Sequence, residues 1–231
     1  MWESYYGPRH SKRDALTNRE FELLLEGARK LDDYYSLQAR FIIFMAGRLG
    51  MRKGEMTHIK QDWIDWRRNM ICIPYHEPCM KARNSLDICG YCRQNAEQRL
   101  EHNPDLEMED SKEMQWVAKT EEAARDIPFD FHPRVSLVVE EFFNQWESWP
   151  VSATAISRRV NKAVKHSKLE DGKRVYPHSL RATAASYHAA RGLDVLPLQS
   201  LMGWAQVSTA HNYVQASGEN TRRALNSVHS Q

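Results

Sequence analysis

The stretch from residue 176 to residue 213 constrains this chain more than any other, because it combines helical patterning with a distinctive set of side chains. His178 and Arg181 are three residues apart in a helical pattern, so their side chains share one face of the helix. Trp204 follows an apolar segment that begins at Leu196, and Tyr213 lies nine residues beyond Trp204. The stretch therefore predicts a helix that offers a histidine and an arginine, followed by an indole N–H and an isolated tyrosine.

These four groups suit a phosphodiester. Arginine can clamp phosphate oxygens with two parallel hydrogen bonds, and histidine can take or give a proton near neutral pH. A tyrosine hydroxyl can form a covalent intermediate. An H-x-x-R pair alone is common on helix surfaces, so the specificity of the signal comes from the whole string.

The string H-x-x-R, then G-W, then a tyrosine nine residues later resembles the C-terminal half of the tyrosine recombinases, the phage-integrase and Xer-like family. In detail it is most similar to the short integrases of archaea, especially haloarchaea. The resemblance extends from about Thr17 to about His229. It implies an α+β, mostly α fold, in which a helical bundle carries a small antiparallel β-sheet. Trp204 stands where many members have histidine, and it keeps a donor N–H.

The resemblance implies metal-free breaking and rejoining of DNA through a 3′-phosphotyrosyl link to Tyr213. Arg52 and Glu55 match the family's first arginine box, in which the arginine holds the phosphate and the acid orients the arginines. Lys119 precedes the R-D-I-P strand at residues 125–128 and matches the family's general-acid lysine. The implied catalytic set is Arg52, Lys119, His178, Arg181, Trp204 and Tyr213, supported by Glu55.

Two other functions remain compatible with these residues. A type IB-like DNA topoisomerase would use the same chemistry but reseal the original strand. A non-catalytic DNA-binding regulator derived from an integrase would keep the binding alone. The full set of candidate residues favours an enzyme, since a regulator has no need of them.

The middle of the chain predicts a small sheet interrupted by an insert. A hairpin is expected at residues 63–74, with further strands at 114–118 and 126–129. The insert between them, residues 75–113, carries most of the cysteines and ends in an acidic segment that is expected to be loose.

The cysteines of the insert predict a structural zinc site. Cys89 and Cys92 form a C-G-Y-C knuckle, a spacing that lets two thiolates bind one metal ion. Cys79 supplies a third ligand, and His76 or Cys72 a fourth. His76 is favoured because Cys72 belongs to an alternating strand. Reduced cysteines in a mobile loop, or a redox pair, are the alternatives to zinc, and no cofactor is expected for catalysis.

Charge is segregated along the chain, although the net charge is only +2. Residues 151–231 carry 11 Lys and Arg against 4 Asp and Glu, whereas residues 95–150 carry 5 against 14. A basic C-terminal part fits a phosphate-backbone partner, and the acidic middle is expected to lie away from it. A helix from about residue 152 to residue 165 is predicted to approach DNA, and a solvated basic face is the alternative. Its basic residues are Arg158, Arg159, Lys162 and Lys165.

The length and the hydrophobic content of 42% predict a single catalytic domain over residues 1–231. The N-terminus is polar, and no apolar run approaches the ~20 residues of a membrane span, so a cytoplasmic, DNA-associated location is expected. Members of the family usually carry an N-terminal core-binding domain, and none is expected here. The expected partners are double-stranded DNA, further copies of the chain on that DNA and, where affinity demands it, a separate DNA-binding protein.

Overall fold

The computed structural model describes residues 11–81, 88–116, 121–215 and 218–229. Three short strands and a series of helices make up the fold. The strands are β1 (Ile64–Asp65), β2 (Met70–Ile73) and β3 (Arg125–Pro128). The helices are α1 (Asn18–Arg29), α2 (Asp33–Gly47), α3 (Lys53–His58), α4 (Gly90–His102), α5 (Met108–Glu113), α6 (Pro133–Gln145), α7 (Ala153–His166), α8 (Pro177–Ala190), α9 (Val195–Met202), α10 (Val207–Gln215) and α11 (Gly218–His229).

Helix α1 begins at a capping box. The Thr17 hydroxyl accepts from the Glu20 backbone N–H, and the Glu20 carboxylate accepts from the Thr17 backbone N–H. These two bonds satisfy N–H groups that have no partner within the helix. The buried side of α1 faces α2 and α7, and it includes Phe21, Leu24 and Leu25.

Helix α2 is the centre of the larger hydrophobic core. It contacts α1, α6, α7 and α8, and most of its side chains are buried. The rings of Phe41 on α2 and Phe142 on α6 stack with centroids 3.7 Å apart. A helix that is apolar almost all round is stable only when other elements cover it on several sides. Because α2 is packed on several sides, the start of the segment that follows it and leads to Arg52 is fixed in position.

The three strands form one antiparallel sheet in the order β1-β2-β3. Ile64 pairs with Ile71, and Ile71 in turn pairs with Ile127. The hairpin predicted at residues 63–74 and the strand predicted near 126–129 are therefore present. Ile73 pairs with Arg125, which sets the position of that arginine at the edge of the site described below.

The strand predicted at residues 114–118 is wrong over its described part. Residues 114–116 form a turn that follows α5, and the Met114 backbone N–H bonds back to the Asp110 carbonyl as a helical end does. The second half of the acidic segment before it, Met108–Glu113, is helical rather than loose. Within α5, Lys112 lies 2.9 Å from the Glu109 carboxylate, and the buried Ser111 hydroxyl donates to the Ala96 carbonyl of α4.

Helices α8, α9 and α10 enclose a second, smaller core. Small side chains such as Ala182 and Ala185 on α8 let Met202 and Tyr213 approach closely. The expected fold class, α+β with mostly helices and a small antiparallel sheet, is confirmed. Among the helices of the described residues, none is both long and apolar enough to cross a membrane.

Candidate active site

Glu55 is the buried acid around which the site is built. Arg52 immediately precedes α3, and its backbone N–H and Nη1 donate to the two Glu55 oxygens at 2.7 and 2.8 Å. Arg125 on β3 donates to the same oxygens through Nη1 and Nη2, at 2.9 and 3.1 Å. Burial alone would raise the pKa of Glu55. The charges of Arg125, Arg181 and Arg52 outweigh burial and lower this pKa to about 2, so the carboxylate is ionised.

Three guanidinium groups converge on the turn at the end of α9. Arg181, on α8, donates to the carbonyls of Gly50 and Met202. Arg52 donates to the carbonyl of Gly203, and Arg125 Nε donates to the carbonyl of residue 201 at 2.8 Å. Burial, followed by the neighbouring Arg52, lowers the pKa of Arg181 to about 9. All three arginines are therefore held by neutral carbonyls, and two of them, Arg52 and Arg125, also share the Glu55 carboxylate.

Gly203 permits this convergence because of its backbone conformation. Its φ of 57° and ψ of 51° are left-handed, a region that side chains with a Cβ rarely adopt. A Cβ at this position would lie 2.9 Å from Arg125 Nη1 and 2.9 Å from the Glu122 carbonyl oxygen. The glycine of the G-W pair is therefore required both for the turn and for the approach of Arg125.

Trp204 and Tyr213 stack beside the arginines. Their ring centroids lie 5.3 Å apart with an interplanar angle of 19°, and Arg181 Cζ lies 5.8 Å from the Trp204 ring. Tyr213 is buried on α10, and Lys12 Nζ lies 4.9 Å from its ring. Burial raises the pKa of the Tyr213 phenol, and the charge of Arg181 opposes that rise. The phenol is thus protonated at rest, next to cations that would stabilise its oxyanion.

His178 lies in the first turn of α8, one turn before Arg181, and its side chain is exposed. Lys119 lies outside the described residues. Arg48, four residues before Arg52, does not join the arginines at Glu55. Its guanidinium is sandwiched between the rings of Phe21 and Tyr187, at 3.5 and 3.8 Å.

A second cluster brings together the three insert cysteines and a histidine that the sequence prediction did not select. His58 Nε2 and the sulfurs of Cys79, Cys89 and Cys92 all lie within 4.8 Å of one another. The choice of His76 is wrong in this geometry, because His76 is exposed and outside this group. Cys72 is outside the group as well.

Cys72 instead lies on β2, where Arg68 Nη2 approaches its sulfur at 3.7 Å. His58 is the last residue of α3, so the C-terminal end of this helix brings its imidazole to the three cysteines.

The donor set fits a tetrahedral zinc ion. A zinc ion with bonds of about 2.3 Å to sulfur and 2.0–2.1 Å to nitrogen separates its ligand atoms by about 3.5 to 3.8 Å. His58 Nε2 lies 3.3 Å from Cys92 Sγ and 3.7 Å from Cys89 Sγ. His58 Nδ1 lies 2.8 Å from the Gly54 carbonyl, which can only accept, so Nδ1 carries the proton and Nε2 faces the sulfurs. The neighbouring thiols of Cys89 and Cys92 also hold the pKa of Cys79 far below its usual range.

The basic residues of α7 separate into two groups. Arg158 and Lys165 are exposed, and Lys162 is exposed with its Nζ 3.8 Å from the Tyr35 ring. Arg159 is buried, and its Nε donates to Gln38 Oε1 at 2.8 Å. The expectation that Arg159 faces DNA is therefore wrong in this structure, because it points into the interface between α7 and α2.

Sequence reasoning missed three residues near these sites. Arg125 was predicted only as part of a strand. The position of a charged arginine at the start of that strand was the signal that could have assigned it to the site. His58 gave no ligand spacing because the chain between it and Cys79 folds back on itself. Lys12 lies in a polar stretch before α1, and nothing in its spacing relates it to Tyr213.

Comparison with known proteins identifies the family of this chain. The model of the phage integrase family matches residues 14–220. The tyrosine recombinase XerC of Staphylococcus aureus (strain bovine RF122 / ET3-1) is 25% identical over 202 residues, 86% of this chain and 55% of that protein. XerC of strain MSSA476 is 24% identical over the same coverage. The chain spans little more than half the length of these curated relatives.

Solved structures show the same fold. The XerA recombinase superposes with a TM-score of 0.58 at 16% identity, over 93% of this chain and 63% of that one. A Tn1549 transposon integrase, in complex with a circular intermediate DNA, gives a TM-score of 0.63 at 16% identity, over 97% of this chain and 67% of that one. With a family match that covers most of its length, this chain belongs to the phage integrase family.

Proposed function

We propose that this chain is a site-specific DNA recombinase or integrase that breaks and rejoins strands through a 3′-phosphotyrosyl link to Tyr213. The observation that carries the proposal is the convergence of Arg52 and Arg181 beside the stacked Trp204 and Tyr213. The family match and the relatives named as tyrosine recombinases support the same reaction. Double-stranded DNA and further copies of the chain are the partners we propose, in the cytoplasm. The similarity to archaeal integrases stays a prediction.

The proposed chemistry uses only side chains. The Tyr213 hydroxyl gives up its proton to solvent, and its oxygen bonds to the scissile phosphorus while the bond from phosphorus to the 5′ oxygen breaks. Lys119 gives that oxygen its proton, leaving a free 5′-hydroxyl. Arg52 and Arg181 stabilise the charge on the phosphate oxygens, with Trp204 and His178 as additional donors. A 5′-hydroxyl from another strand then attacks the phosphotyrosine and restores Tyr213, so bond energy is conserved and no cofactor is consumed.

We also propose a structural zinc ion, held by His58, Cys79, Cys89 and Cys92. Purified, reduced protein should contain about one equivalent of zinc. A His58→Ala variant should bind it more weakly, whereas His76→Ala should not change the affinity. Zinc content near zero in freshly reduced protein would refute the site.

The trapping of DNA on Tyr213 tests the catalytic proposal. We would incubate the protein with a library of duplexes nicked so that the cleaved strand loses a short fragment and cannot be rejoined. Complexes that survive denaturation should carry protein at a 3′ end and release a 5′-hydroxyl. Tyr213→Phe should bind DNA with unchanged affinity and trap nothing, because it lacks only the nucleophilic oxygen. Tyr187→Phe is the matched control, since its ring contacts Arg48 and Arg191 rather than the site. Trapping that survives Tyr213→Phe would show that another residue is the nucleophile.

Two assays separate the remaining functions. A recombinase should exchange strands between two copies of its selected site. A type IB-like topoisomerase should relax supercoiled plasmid in the absence of such a site. A non-catalytic regulator should bind the library without any covalent product, and that outcome would remove the enzyme proposal altogether.

A further inference from the structure

Helix α3 carries the active site at one end and a proposed metal ligand at the other. Arg52 precedes its first residue and Glu55 lies in its first turn, while His58 is its last residue. The helix has only six residues, which is too short to be stable without tertiary contacts. The position of Arg52 therefore depends on what holds α3 in place.

The insert, together with the turn that follows it, surrounds the C-terminal end of α3. Lys81 Nζ donates to the Thr57 carbonyl at 2.8 Å, and the Trp116 ring stacks on His58 with centroids 4.9 Å apart. Tyr91, in the first turn of α4, packs so closely that a Cβ on Gly54 would lie 3.1 Å from its hydroxyl oxygen. Cys89 and Cys92 flank that tyrosine, so α4 and α3 meet end to end at the Cys₃His group.

We propose that the metal ion bound by His58, Cys79, Cys89 and Cys92 positions the catalytic arginine by fastening α3 to the insert. The inference rests on the proposed function for its effect on cleavage. The chain from His58 Nε2 to the active site is short. His58 Nδ1 is bonded to the Gly54 carbonyl, and Gly54 lies between Arg52 and Glu55 in the same helix. The metal thus has a second role beyond folding the insert, although it never touches DNA.

The His58→Ala variant separates the two roles. Three cysteines remain to hold the metal, with water in the fourth position, so the insert can keep its ion while α3 loses its attachment. Hydrogen exchange of the α3 amides, residues 53–58, reports the attachment directly. We expect exchange there at least about tenfold faster in His58→Ala than in the parent protein, with α1 and α2 unchanged. Metal content and far-UV circular dichroism are measured on the same samples to confirm that the ion and the helices remain.

Cleavage provides the functional measurement. In single-turnover trapping, we expect His58→Ala to lower the rate constant by about tenfold or more while DNA affinity changes little, because small misplacements of catalytic groups are costly. His76→Ala, whose exposed imidazole is outside the group, should behave as the parent protein does. Chelation of the parent protein should reproduce both effects, and returning zinc should reverse them.

Each outcome decides the proposal. If α3 exchange and the cleavage rate constant are unaffected by His58→Ala and by chelation, the metal serves the insert alone and the proposal is overturned. If His58→Ala fails to fold, chelation and zinc return on the parent protein give the same comparison. If no DNA is ever cleaved but α3 protection depends on the metal, the proposed function fails while the fastening of α3 stands.

Discussion

Each carboxylate oxygen of Glu55 accepts from both Arg52, three residues away, and Arg125, 70 residues away. A buried ion pair of this kind is costly to break, because removal of one partner leaves an uncompensated charge. The neighbouring Arg181 adds a third cation whose field Glu55 feels. One carboxylate therefore orients the arginine that precedes α3 and the arginine of β3.

Acid should destabilise the fold through Glu55. Because the folded state lowers its pKa to about 2, its contribution is complete above the ordinary value of 4.5 and is lost as pH falls between these values. A shift of this size corresponds to roughly 3 kcal/mol in the free energy of unfolding. Denaturant titrations from pH 6 to pH 3 should show this loss in the parent protein. Glu55→Gln should be less stable at pH 6 and show a shallower dependence; an equal slope in both proteins would contradict the assignment.

At this scale the sequence predicted residues whose spacing is local. The H-x-x-R pair, the G-W pair and the tyrosine nine residues later lie within 36 residues, so a motif records them. His58 and Arg125 reach their partners through chain reversals, at sequence separations of 34 for Cys92 and 70 for Glu55. No periodicity links such pairs, because tertiary packing alone decides which of several histidines lies beside the cysteines and which of several arginines lies beside Glu55.

At the scale of elements, α7 has basic residues of two kinds, some exposed to solvent and one packed inside the protein. Its basic positions are not equivalent, since Arg158 and Lys165 face outward while Arg159 is bonded to Gln38. Arg159 Cζ also lies 4.4 Å from the Tyr35 ring. The sequence predicted the helix and its charge correctly. It could not say which arginine pairs with α2, because the amide partner lies 121 residues away.

Substitutions on α7 should distinguish these two kinds of basic residue. Arg158→Glu should weaken binding to all DNA sequences alike and reduce the salt dependence of affinity by about one counterion, since the contact is to the backbone. Arg159→Ala should instead lower the free energy of unfolding by about 1 to 3 kcal/mol, because it strands the buried Gln38 oxygen. Fluorescence anisotropy across a salt series and urea unfolding measure the two effects. If Arg158→Glu leaves the affinity unchanged, α7 does not face DNA.

At the scale of the whole molecule, charge is segregated along the chain. The acidic residues 95–150 include most of α4 and α5, which pack beside the metal group, whereas the basic residues 151–231 include Arg181. In the electrostatic field of DNA, a molecule with segregated charge is oriented before contact, with its basic part toward the DNA. The sequence predicted this polarity from composition alone. It could not predict that the insert folds into helices, because its cohesion comes from four ligands brought together in space.

We expect the candidate active site to bind small anions in the absence of DNA. Arg52 and Arg125 share one carboxylate, and Arg181 is bonded to the carbonyls of Gly50 and Met202, which carry no compensating charge. A small multivalent anion that enters should relieve the mutual repulsion of these cations and therefore bind the folded state selectively. Sulfate should raise the melting temperature more than chloride at equal ionic strength, and Arg181→Gln should remove most of that difference. The same excess of positive charge that suits the site to a phosphodiester should therefore be detectable, in the absence of DNA, as an anion-dependent melting temperature.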